Sequence, residues 1–265
     1  MNKFAAVVLM LFFSACKQEE IPDTSSLQPP TGIPFLTGSH NLYEWTFGRD
    51  SSQSQIFSTR DSLTVSVLSN SEQQFGYSNL TLMEVRSKKY PSGISRVWYR
   101  NANDSLTEVG YAGIGTVPFV MPKSDITPAA YSQFTLPYLV RVAAAQHVNI
   151  TDSISKRSEN RIVYHFPLTM NSVWISFRTP FLEKREVVGI EEIAVKAGRF
   201  ICSKIKTEIY FGATKDTSLQ WYDYVAREGL ILRTLTFSGL YTSEQHPDSA
   251  FAYFGRERTE LISYQ

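Results

Sequence analysis

The chain has 265 residues, 26 Lys+Arg against 25 Asp+Glu, and 43% hydrophobic residues that include 17 Phe, 14 Tyr and 4 Trp. A formal net charge of +1 lacks the positive field that a phosphate backbone requires, which excludes nucleic acid as the expected partner. Two cysteines exclude a disulfide framework, while the apolar content is enough for a real core.

Asn2 and Lys3 make a short polar, positive start, Phe4 to Phe13 runs apolar without interruption, and Ser14 and Ala15 precede Cys16. That order of charge, apolar core and small-residue exit predicts a cleavable signal peptide over residues 1–15. The apolar run of 10 residues is half of the roughly 20 that a membrane-spanning helix needs. Phe13-Ser14-Ala15-Cys16 resembles the lipobox of bacterial lipoproteins, with Phe13 where Leu is usual. The resemblance implies a diacylglyceryl group on the Cys16 thiol, cleavage before it and acylation of the new amine. Each buried methylene contributes about 0.8 kcal/mol, and two or more chains make anchoring stable. The mature chain is therefore expected in the cell envelope, anchored at Cys16 to the outer membrane, facing either the periplasm or the surface. Loss of Lys3 leaves 25 basic against 25 acidic residues.

Lys17 to Pro34 carries Pro22, Pro29, Pro30 and Pro34 among Ser, Thr, Gln and Glu. Such a stretch buries too little apolar area to offset its ordering entropy. Residues 16–34 read as a lipidated N-terminus and disordered tether, with a reach of roughly 25 Å as a flexible coil. Lys17-Gln18-Glu19-Glu20 is similar to the acidic surface-export signal of some Bacteroidetes lipoproteins, and reads equally as an ordinary solvated start.

Residues 35–265 read as a single antiparallel β domain. Leu63, Val65 and Val67 alternate with Thr64 and Ser66; Leu80, Leu82, Met83 and Val85 mark a second strand, and Ile94 to Arg100 a third. Pro118, Pro122, Pro128 and Pro137 break up the middle, and Leu139 to His147 reads as one short helix or as the start of a strand. Glu186 to Lys196 is strand-like and reverses at Ala197-Gly198-Arg199. In Phe200 to Phe211, the residues Ile201, Ile205, Ile209 and Phe211 share one face and Lys204, Lys206 and Glu208 the other. That is the period-two pattern of a half-buried strand. Leu219 to Ala226, Leu230 to Tyr241 and Ala250 to Ile262 follow, separated by turn residues. Short turns between consecutive strands mean an antiparallel meander, because parallel strands need long crossovers. The expected class is all-β or β-dominated: a strongly curved antiparallel sheet or half-open barrel, with at most one or two short helices.

Phe166-Pro167-Leu168, Trp174, Glu191 to Val195, Ala197 to Lys204, Trp221-Tyr222 and Gly229-Leu230-Ile231 together resemble a family of uncharacterised bacterial envelope lipoproteins. Lys196 and Arg199 depart from that pattern, standing where it has proline and a hydroxyl residue. The family is similar in architecture to the lipoprotein-carrier (Lol-type) fold. It implies a curved sheet around a hydrophobic cavity, often plugged by a short helix, and hence a cradle for an apolar ligand. Gly198 and Gly229 suit turns in any case, and Phe200, Trp174 and Trp221 supply apolar area for packing.

Chemistry-bearing patterns are sparse. His40, His147, His165 and His246 are far apart, and none has a second His or Cys at metal-ligand spacing. No HExxH, phosphate loop or G-x-S-x-G elbow occurs. Glu191 and Glu192 are adjacent on a strand and point to opposite faces. Lys184-Arg185 and the Arg256/Arg258 pair read as solvated strand faces, although the latter two share a side and suit an anionic head group. Cys202 reads as a small buried hydrophobe. No metal, cofactor or catalytic residue is expected, and the ligand-binding residues are unassigned. The expected role is a non-enzymatic binding module holding a lipid or other apolar ligand. A structural or assembly lipoprotein docking an envelope protein ranks second, and an enzyme third.

Overall fold

Alternation of apolar and polar side chains runs through most of the chain and produces strands throughout. The computed structural model describes residues 29–51, 57–89, 91, 94–102, 104–113, 154–179, 181–217, 219–243 and 246–265. The signal peptide, Cys16, residues 17–28 and the Leu139 to His147 segment lie outside these. None of the described residues is helical.

The first six strands are β1 (His40–Ser51), β2 (Phe57–Gln74), β3 (Tyr77–Ser87), β4 (Ile94–Ala102), β5 (Ser105–Gly113) and β6 (Ile154–His165). The C-terminal group comprises β7 (Val173–Phe177), β8 (Leu182–Val195), β9 (Gly198–Phe211), β10 (Thr214–Lys215), β11 (Leu219–Ala226), β12 (Gly229–Ser243) and β13 (His246–Tyr264). All belong to one antiparallel sheet in the order β6-β5-β4-β3-β2-β1-β13-β12-β11-β9-β8-β7, with β10 attached to the edge of β9. The meander expected over the C-terminal strands is present, and the N-terminal half forms a second one. They join where β1 pairs β13, from Asn41 opposite Tyr264 to Ser51 opposite Tyr253.

The two ends of this path, β6 and β7, come back alongside each other, so the sheet curls into a barrel with one seam. Side chains bridge the seam in place of a ladder. The Trp174 indole donates to the Ile162 carbonyl at 3.2 Å, and the Arg178 and Thr179 amides donate to the Glu159 carboxylate at 2.9 and 3.0 Å. The two edge strands face each other across the seam, which shields them from the edge pairing that invites aggregation.

Strand parity then decides what lies inside. In β2, Asp61, Leu63, Val65 and Val67 are buried while the residues between them are half-buried; in β12 the inward set is Ile231, Arg233 and Leu235. β9 departs from expectation at its start. Phe200 and Cys202 are buried there, and Ile201 is not, because the buried phase advances by one residue between Cys202 and Ser203. A bulge at Val187/Gly189 of β8 sits beside this step, and such an extra residue re-aims the side chains around it. Cys202 is buried, as expected, with its thiol pushed up to about 12 by burial and by the nearby Glu228 and Glu191 carboxylates.

One apolar cluster gathers Trp45, Leu63, Phe200, Cys202, Ile231 and Leu261. A second holds Leu106, Phe166, Leu168, Trp174, Ile205 and Val225, together with Ile33 from the N-terminal segment. Each fully buried aliphatic or Phe side chain contributes about 1.5–3 kcal/mol. The motif residues Phe166, Leu168, Trp174, Phe200, Trp221 and Ile231 are all buried, and Gly198 and Gly229 have φ of 137° and 109°, which a side chain rarely adopts. Pro30 and Ile33 are buried as well, and the Leu168 amide donates to the Pro30 carbonyl at 3.0 Å. The packed chain therefore reaches back at least to Pro30.

Candidate functional site

Several inward positions carry charge rather than hydrocarbon. β11 places Asp223 between Trp221 and Val225, and β12 places Arg233 between Ile231 and Leu235. The two are directly opposite in the ladder. Arg233 donates to Asp223 through Nε and Nη2 at 2.5 and 2.8 Å, a bidentate pair, and the Trp221 indole donates to the same carboxylate at 2.9 Å. β8 contributes Glu183 and Arg185, β6 contributes Arg157 and Arg161, and β5 contributes Glu108 opposite Arg161.

These side chains form one connected layer across the barrel. Arg161 donates to both Glu183 oxygens at 3.0 Å and lies 3.8 Å from Glu108. Glu108 also accepts from Arg157, at 2.9 Å from its Nε. Arg185 donates to Glu183 at 2.8 Å and to the Val163 carbonyl at 3.0 Å, and its Nη1 is 3.7 Å from Asp223. The guanidiniums of Arg185, Arg233 and Arg161 stand 4.9, 5.2 and 5.8 Å from the Trp221 ring centroid, within reach of a cation–π attraction.

Burying these groups is costly, and pairing is what makes it tolerable. Burial by itself would raise the Glu183 pKa, but Arg161 and Arg185 outweigh it and hold the carboxyl below its usual range. Asp223 is depressed in the same way by Arg233 and Arg185 against its burial. Burial would lower the Arg161 pKa, and Glu183 and Glu108 reverse it. Glu257, on β13, is the exception. Burial pushes it up to about 8, helped by Asp223 and opposed by Arg233, the Trp45 indole and the Thr259 hydroxyl.

A cavity of about 80 Å³ opens above this layer. Its lining combines Ile33, Phe35, Tyr99, Leu106 and Leu230 with the polar Asn41 and Tyr43 and with Arg161, Arg185, Arg233 and Glu108. A water needs about 10–15 Å³ by the same kind of measure, whereas drug-sized ligands occupy about 300–1,000 Å³. The space suits a small group and is too small for a whole lipid. Two buried donors of the layer, Arg185 Nη2 and Arg161 Nε, have no hydrogen-bond partner among the described residues. Leaving such a donor unmade costs about 1–3 kcal/mol. Phe35 lines the cavity, stacked on Tyr99 at a centroid distance of 6.5 Å, and the Asn70 side chain donates to its carbonyl.

The comparisons with known proteins add a likeness in structure only. No protein-family model matches the chain, and none of the curated proteins matches it. One similar solved structure is of a protein from Parabacteroides distasonis ATCC 8503, provisionally described as a lipoprotein. It has a TM-score of 0.37 and 13% identity over 90% of this chain and 100% of that one. Another is a provisionally described exported protein with a YmcC-like fold from Bacteroides fragilis NCTC 9343, with a TM-score of 0.38 and 9% identity over 89% and 99% of the two chains.

Sequence reasoning overlooked this charged layer and misplaced one of its members. Arg185 was expected with Lys184 on a solvated face, yet its side chain is 0% exposed while that of Lys184 is 32% exposed and 3.7 Å from Glu186. Adjacent strand residues face opposite ways, so the pair could not share a surface. Glu191 and Glu192 do separate as expected, the first pairing Lys204 and the second Arg199. Arg256 and Arg258 are exposed, with Arg258 donating to Glu260 at 2.9 Å. His165 is exposed at the end of β6, and no group of three or more metal-ligating side chains occurs among the described residues. A charge standing in the apolar phase of a strand, as at Asp223 and Arg233, was the available signal.

Proposed function

We propose that the chain is an envelope lipoprotein, lipid-anchored at Cys16, that acts as a non-enzymatic binding module. Its ligand is small and at least partly apolar, and the binding site is the cavity that Phe35 helps to line. The observation that carries this reading is a cavity lined by apolar side chains together with paired arginines. Those arginines are tied to carboxylates and stacked near Trp221, which suits holding a ligand and supplies no nucleophile. The N-terminal segment links the two ideas, because Ile33 and Phe35 line the cavity and lie 17 and 19 positions after Cys16 (33 − 16 and 35 − 16).

Native mass spectrometry of the full chain after mild extraction tests the reading. The wild type is expected to carry a small bound mass, and Val65→Phe, which fills the cavity from its β2 wall, to lose it. A wild type that is always empty overturns the proposal. Labelling with palmitate tests the anchor, and Cys16→Ala is expected to abolish it. A second reading, docking of an envelope protein partner, is favoured by Met170 and Val173, which are 52% and 51% exposed at the start of β7. Crosslinking at those two positions in intact envelopes separates it from the first.

A further inference from the structure

We propose that an uncharged surface around the N-terminal segment rests on the membrane, its exposed aliphatic side chains lying at the boundary between lipid head groups and acyl chains. The inference rests on reading Cys16 as the lipid anchor, and adds a second, non-covalent contact with the same bilayer.

Two stretches of chain build this surface. Pro29 to Ser39 and Phe166 to Val173 contain no charged residue, in a chain whose residues are 19% charged. The Leu168 amide ties them together by donating to the Pro30 carbonyl at 3.0 Å. Strand β2 is held against the first stretch, with the Gly38 amide donating to the Val67 carbonyl at 2.8 Å and the Asn70 side chain to the Phe35 carbonyl. Ile33, Phe166 and Leu168 of the two stretches share one core cluster. Leu36, Met170 and Val173 are left 68%, 52% and 51% exposed, and Leu68, which follows Val67 on β2, is 42% exposed. Exposed apolar side chains scattered singly are ordinary, but several on joined, uncharged stretches mark a contact surface.

Where the chain leads decides what covers it. Pro29 is 13 positions after Cys16 (29 − 16), a separation that a flexible chain spans with a root-mean-square reach of about 20 Å. An acyl group on Cys16 therefore keeps a bilayer within reach of Pro30, whose carbonyl is bonded to the second stretch. A contact that the anchor makes intramolecular needs little affinity of its own, which favours the bilayer over a diffusing protein. Absence of charge suits the lipid interface, because no ion has to give up its water there. Ile33 and Phe35 of the same segment line the cavity, so docking also brings that cavity next to the bilayer.

The test places one polarity-sensitive fluorophore at a time on the purified lipidated chain, floated with phosphatidylcholine vesicles whose acyl chains are brominated or plain. Cys202 is buried and Cys16 carries the lipid, so Leu36→Cys, Met170→Cys and Ala213→Cys each take a single label. Ala213, exposed in the turn after β9, is the reference. Lys206 of β9 is level with Val173 through Glu186, and Phe211 is already about 17 Å further along that strand. Brominated lipid is expected to quench the labels on Leu36→Cys and Met170→Cys by about twofold or more and to leave the one on Ala213→Cys unchanged. The quenching is expected to persist from about 0.1 to 1 M salt, over which the screening length falls from about 10 to 3 Å. Leu36→Asp, at an exposed site, is expected to abolish quenching of the Met170→Cys label while flotation persists.

A chain that does not float overturns the anchor and this proposal together. A chain that floats with all three labels quenched alike, or with none quenched, overturns the docking and leaves the anchor standing. Quenching that survives Leu36→Asp shows that the two stretches do not dock as one surface, and quenching that salt removes shows an electrostatic contact; either overturns the proposal. Labels left unquenched on vesicles, with crosslinks from Met170 to a protein in intact envelopes, assign the surface to a protein partner instead.

Discussion

Two regions of the barrel interior are equally buried and built in opposite ways. Around Leu261, Leu63 and Trp45 the inward positions are filled by hydrocarbon and aromatic rings. On β11, β12 and β13, the inward positions Asp223, Arg233 and Glu257 are buried too. Area burial stabilises the first region outright. The second contains ions whose desolvation cancels most of their mutual attraction, so a hydrophobic filling would have been at least as stable. The layer is one that stability alone does not call for.

Breaking one member of each region measures the contrast. Asp223→Ala leaves Arg233 and Arg185 buried without their carboxylate and is expected to cost about 3–5 kcal/mol in urea unfolding. Leu261→Ala, at a site with 0% exposure, is expected to cost about 2–5 kcal/mol through lost contact and cavity. A cost below about 1 kcal/mol for Asp223→Ala would mean that the layer behaves like solvated ion pairs, and the contrast would collapse.

Titration sharpens it further. Between its ordinary range near 4.5 and its folded value of about 8, Glu257 keeps a proton that the unfolded chain has lost. The folded state binds more protons there, so stability falls as pH rises through that window. Glu183 and Asp223 are depressed, so their contribution is present above their unfolded values and is lost as pH falls below about 4.5. Stability should therefore peak near the low end of the window. Glu257→Gln is expected to flatten the slope and to exceed wild type by about 1–3 kcal/mol at pH 8, read from denaturation midpoints across pH. The smallest effect is expected on the outer surface. Arg60 is 66% exposed in its pair with Glu44, and Arg60→Ala should cost less than about 1 kcal/mol in the same unfolding assay.

Most of the architecture was legible. Leu219 to Ala226 forms a strand with those bounds, the reversals at Gly198 and Gly229 are where glycine was needed, and the inward set of β9 matches its alternation from Ile205 onward. These features follow from period-two burial and local backbone preference, which act over a few residues. The cradle for an apolar ligand, implied by the family resemblance, is legible only as a sheet. Its sheet is present, but its interior holds Trp221 and an ion network with a cavity of about 80 Å³. Composition could not reveal this, because the charges that fill the layer are scattered from Glu108 to Glu257 and only the strand phase at positions such as Asp223 and Arg233 hints at their burial.

The sequence by itself determined strand content, the turn positions of the C-terminal meander and, from Ile205 onward in β9, the side that carries hydrocarbon, since all three depend on neighbours within one strand or hairpin. Only the tertiary structure decided which charge meets which. The β11–β12 hairpin starts with Ala226 opposite Gly229 and Val225 opposite Leu230, a register that would set Asp223 against Leu232. A bulge between Tyr224 and Val225 moves the ladder by one residue, and Asp223 faces Arg233 instead. Curling the sheet then brings Arg185 and Arg161 to the same pair, because barrel closure depends on the register of every strand at once.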